Sequence, residues 1–106
     1  MNKILGAAAL VAAALTLTAC TTGPDQNKVD AYRTVVHAMP AYADVSNDNL
    51  DKVAKGVCGI FKADETTGWD VALEGAQSSG ADSKQAAILV TAAVRAYCPQ
   101  YDKDLQ

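Results

Sequence analysis

Apolar residues recur at three- and four-residue steps in four separate stretches of this chain, and no strand-like alternation lasts beyond a few positions. In residues 27–39, Val29, Tyr32, Val35, Val36 and Met39 share one helical face, and Pro40 ends the run. A second stripe, Leu50, Val53, Ala54, Val57 and Phe61, has Cys58 and Ile60 on its edges and a cap at Ser46 or Asn47. Trp69, Ala72, Leu73 and Ala76 make the inner face of a short third helix, capped by Thr67 and ending before Ser78-Ser79-Gly80. The fourth stripe is Ala86, Leu89, Val90, Ala93, Val94 and Tyr97; Asp82 and Gln85 open it as a capping box and Pro99 stops it. The pattern predicts an all-α fold, a small bundle of about four short helices.

The positions off these stripes are informative mainly by contrast. Arg33 and His37 fall on the flank of the first helix, so the single histidine reads as a solvated residue rather than a ligand or base. Gly56 and Gly59 lie away from the second stripe and read as tolerated, at about 1 kcal/mol each relative to Ala. Trp69 is the only tryptophan and reads as a core plug. Ile88 points outward beside Lys84 and Arg95.

The N-terminal residues carry a different pattern. Lys3 and the free amine precede an uncharged run over residues 4–17, the layout of a signal peptide. That run falls short of the roughly 20 residues a transmembrane helix needs. Leu17-Thr18-Ala19-Cys20 follows and resembles the bacterial lipobox, whose cysteine is acylated and becomes the first residue of the mature protein. Two acyl chains give stable anchoring where one is marginal. The division expected is a lipoprotein signal peptide over 1–19, a lipidated tether over 20–27, a helical domain over 28–100 and a frayed tail over 101–106. The expected location is the cell membrane, lipid-anchored at Cys20 on the extracytoplasmic face.

Composition then narrows the partners. The chain has 106 residues and a formal net charge of −3, with its cations scattered among acids. That balance argues against nucleic acid or an anionic lipid surface as a partner, both of which favour a Lys/Arg surplus on one face. The partners expected are the membrane, through lipid at Cys20, and an envelope protein. With Cys20 given to lipid, Cys58 and Cys98 remain, and an even pair in an exported small domain is most simply a disulfide. A metal site lacks ligands, having no CxxC and one histidine. No cofactor is implied. No nucleophile, base and orienting group come together, and the paired acids Asp64 with Glu65 and Asp70 with Glu74 read as solvated charge. No catalytic residue is assigned, and the protein is expected not to be an enzyme.

Gly56-Val57-Cys58 in the second helix and Ala93 through to Tyr97-Cys98-Pro99 at the end of the fourth together resemble the domain of unknown function 732 family. The resemblance spans roughly residues 29–100. It implies small exported or lipid-anchored actinobacterial or actinobacteriophage proteins, a helical domain and a Cys58 to Cys98 bridge, with no activity attached. The functional expectation is a membrane-anchored, non-enzymatic binding or accessory module of the cell envelope. The alternative is a phage-encoded surface lipoprotein giving superinfection exclusion.

Overall fold

The computed structural model describes residues 25–106. The expected leader, the lipidation at Cys20 and most of the tether lie outside the described residues. Within them the element order is α1 (Gln26–His37), a 3-10 turn (Pro40–Tyr42), α2 (Asn47–Ala63), α3 (Gly68–Ser78), α4 (Ser83–Tyr97) and a closing 3-10 turn (Pro99–Asp104). The described residues contain no strand, and the all-α bundle of four helices is the architecture.

Each helix starts at a side chain that satisfies an otherwise orphaned N–H, with one exception. Asp25 accepts the Asn27 N–H at 2.9 Å, so α1 begins inside the segment expected as tether. Ser46 accepts the Asn49 N–H at 3.2 Å, and Asp82 accepts the Gln85 N–H at 2.7 Å. The exception is α3. Thr67 occupies the cap position but its hydroxyl makes no cap bond; the Asp64 carboxylate accepts the N–H groups of Thr66 and Thr67 at 2.9 and 3.4 Å instead. The end of α1 also falls short of Met39, because a residue preceding proline is driven to extended backbone, and Met39 sits at φ −88°, ψ 132°.

α4 is the central element, packing against α1, α2, α3 and the closing turn. Its buried residues Ala86, Leu89, Val90, Ala93 and Val94 meet Tyr32 and Val36 from α1, Leu50, Ala54 and Phe61 from α2, and Trp69, Ala72 and Ala76 from α3. Trp69 is buried as the stripe requires. One packing contact admits no side chain: a Cβ on Gly68 would lie 2.8 Å from Phe61 Cδ2 and 3.1 Å from Phe61 Cα. Gly56 and Gly59 have open space instead, so neither serves a close approach.

Cys58 in α2 and Cys98 at the end of α4 form a disulfide with Cα atoms 5.9 Å apart. Closing a loop of this size is worth about 4 kcal/mol in the chain-entropy model. Residues expected to fray continue past Pro99 as a 3-10 turn held to the bundle. Tyr101 stacks on Phe61 with ring centroids 5.9 Å apart, and Lys103 pairs with Glu65 at 2.5 Å. Leu105 packs against the core. No described helix is long and apolar enough to cross a membrane.

Candidate binding groove and the polar clamp beside it

Four polar side chains gather where α1, α2 and α4 meet. Arg33 of α1 donates to both carboxylate oxygens of Asp51 in α2, Nε to Oδ1 at 3.1 Å and Nη2 to Oδ2 at 2.6 Å. The Tyr97 hydroxyl of α4 donates to Asp51 Oδ1 at 2.6 Å. The Tyr32 hydroxyl donates to the Leu50 carbonyl at 2.6 Å, and the two tyrosine rings meet edge to face at 5.7 Å. Planar Arg to carboxylate pairing of this kind fixes orientation as well as energy.

The electrostatics follow from these contacts. The Arg33 guanidinium, followed by the Tyr97 hydroxyl, holds the Asp51 carboxyl below the usual carboxylate range, against the opposing effect of its partial burial. Burial, aided by the bond to Asp51, pushes the Tyr97 phenol up to about 12. Burial also raises the Tyr32 phenol. Asp51 is therefore charged and doubly engaged at neutral pH, and both phenols keep their protons. The cluster clamps three helices, and its groups are committed to one another.

His37 is likewise engaged. Its Nε2 lies 2.7 Å from the Val45 carbonyl, which can only accept, so that nitrogen carries the proton and donates. The histidine read as solvated is half-buried and ties α1 to the loop before α2. Among the described residues no three His, Cys, Asp or Glu side chains gather in a metal-holding group, and no buried side-chain N or O lacks a partner.

What remains open to another molecule is concave and apolar. Between α1 and α4 lies a groove of about 550 Å³, walled by Ala31, Tyr32 and Val35 on one side and Ala92 and Ala96 on the other. Pro99 completes the apolar lining, and the charged groups bordering it are Lys28, Arg95 and Asp102. A shallower depression of about 330 Å³ shares Ala92 and Arg95 with it and runs on to Trp69 and Ile88. On the other side of the bundle a groove of about 440 Å³ lies between α2 and α3, bordered by Val53, Ile60 and the exposed Gly56 and Gly75, with no charged residue in its lining.

Of the residues singled out from sequence, Cys58 and Cys98 are brought together as the disulfide, and Cys20 lies outside the described residues. Neither the clamp nor the α1/α4 groove is visible in the sequence, where Asp51 sits beside the Leu50 stripe among ordinary helix-surface charges. A signal is present for two of the clamp's members: Arg33 falls next to a core position of its predicted helix and Tyr97 closes the apolar stripe of another, so each can turn a polar end inward.

The family model described as protein of unknown function (DUF732) matches residues 29–100. No curated protein and no solved structure matches the chain.

Proposed function

The chain belongs to the domain of unknown function 732 family, and from that membership, which brings no activity with it, we propose a membrane-anchored lipoprotein of the extracytoplasmic face that acts as a non-enzymatic binding or accessory module of the cell envelope. The observation that supports this reading is the disposition of polar groups. Arg33, Asp51, Tyr97, Tyr32 and His37 are engaged in holding helices together. The larger of the two apolar grooves left to meet another molecule is the one between α1 and α4, of the size and lining typical of ligand sites, which run from about 300 to 1,000 Å³. The lipobox at Cys20 stands five positions before the Asp25 cap, so a tether of about five residues spans less than roughly 20 Å and keeps that groove near the membrane.

The test is photocrosslinking in the native envelope from a benzophenone amino acid at Val35, which is 41 % exposed on the groove wall. Adducts with envelope molecules should form when Cys20 is intact and vanish in Cys20→Ala. No adducts, or the same adducts from both proteins, would contradict the proposal.

A further inference from the structure

The α1/α4 groove combines three features that point to one ligand chemistry. Its walls are alanine and valine, with the buried Tyr32 beneath them, which suit an alkyl chain. Its rim carries Lys28 and Arg95 against Asp102, a local surplus of one positive charge on a chain whose net charge is −3. Those cations are available. The Lys28 ammonium makes no ion pair or hydrogen bond among the described residues, and Arg95 spends only its Nε on Asp102, at 2.9 Å, leaving both terminal nitrogens of the guanidinium free. A planar guanidinium with free N–H groups suits a carboxylate.

We infer that the α1/α4 groove binds a long-chain carboxylate, a fatty acid whose head group meets Lys28 and Arg95 and whose chain lies along Ala31, Val35 and Ala92. The inference deepens the proposed binding module and rests on the same groove. Charge complementarity selects an anion, and the volume and openness of the groove suit one chain better than the two of a glycerophospholipid. Position adds to this: Lys28 lies in the first turn of α1, three residues past the Asp25 cap, at the end of the domain from which the Cys20 tether departs. The α2/α3 groove lacks any charge and gives no such selection.

Calorimetric titration of the full chain carrying Cys20→Ala tests this without needing the anchor. Palmitate should bind at one equivalent, and hexadecyltrimethylammonium, with the same chain and the opposite charge, about tenfold or more weakly. Ala31→Phe, a change at an exposed wall position that fills the groove, should abolish palmitate binding, and Lys28→Glu should weaken it about tenfold. Asp102→Asn should strengthen it by removing the opposing charge. Thermal melts of each variant establish that the fold is kept. Equal binding of the two amphiphiles, no binding of palmitate, or unchanged binding by a folded Ala31→Phe chain would overturn the inference. So would a concentration-dependent dimer that excludes palmitate, since a second copy would then be the occupant. Anchor-dependent crosslinks from Val35 to an envelope protein, with no palmitate binding, would leave the binding module standing and remove only the carboxylate.

Discussion

Asp51 is the residue on which three helices converge, and its chemistry sets how stability responds to pH. Its carboxyl sits below the ordinary range in the folded state because Arg33 and Tyr97 bond the charged form. A depressed folded value adds stability that is fully present above the unfolded pKa of about 4 and is lost as pH falls through the folded one. Asp51→Asn should therefore cost about 1–2 kcal/mol at pH 7, discounted for the partial exposure of the pair. In urea unfolding, the gap between wild type and variant should close as pH drops below about 4; a gap independent of pH would mean that Asp51 is not engaged as described. Tyr97 has the opposite sense. Its raised value, about 12, means stability complete below the unfolded phenol pKa of about 10 and lost between there and the folded value. Tyr97→Phe should reduce the alkaline loss measured by the same titration.

Glycines divide by the same residue-level reasoning. Gly68→Ala drives a methyl into the ring and backbone of Phe61 and should cost about 1–3 kcal/mol. Gly59→Ala meets nothing and should gain about 0.5–1 kcal/mol by helix propensity. Melting temperatures that moved together in these two variants would contradict the packing at Phe61.

At the scale of elements, the disulfide joins α2 to the end of α4, the helix against which the other three pack. Its loss, by Cys98→Ser or by reductant, should remove about 4 kcal/mol. In a domain of this size that lowers the melting temperature by roughly 15–30 °C. An unchanged melt under reductant would mean the bridge is not a staple.

The same scale explains what was legible in the chain. The four stripes are readable because each lies within one helix and repeats at 3.6 residues, and the buried positions of α1 to α4 follow them except most plainly at Val35, which the stripe places inside and the structure leaves 41 % exposed beside the α1/α4 groove. Tyr42 was not, because it is buried from a three-residue turn too short to show a period. The clamp was hidden for a different reason: Asp51 finds its partners 18 and 46 positions away, and no local pattern encodes a bond between side chains so far apart. The turn over Pro99–Asp104 looks like a charged tail until Tyr101 and Lys103 meet Phe61 and Glu65. A groove is harder still to foresee. It is defined by where α1 and α4 leave space between small residues, and sequence periodicity reports filled positions.

At the scale of the whole molecule, polar groups turned inward hold the bundle, an apolar groove with a basic rim faces outward, and a cysteine with lipobox spacing precedes the first helix. Together these support a binding surface held on a membrane, and its membrane attachment depends on the state of Cys20. The most direct measurement is intact mass spectrometry of the protein extracted from its native membranes, beside the Cys20→Ala variant. The account predicts a chain beginning at Cys20, bearing a diacylglycerol, and two hydrogens lighter for the Cys58 to Cys98 bridge. A water-soluble protein with an unmodified Cys20, or one whose first residue lies elsewhere, would contradict it.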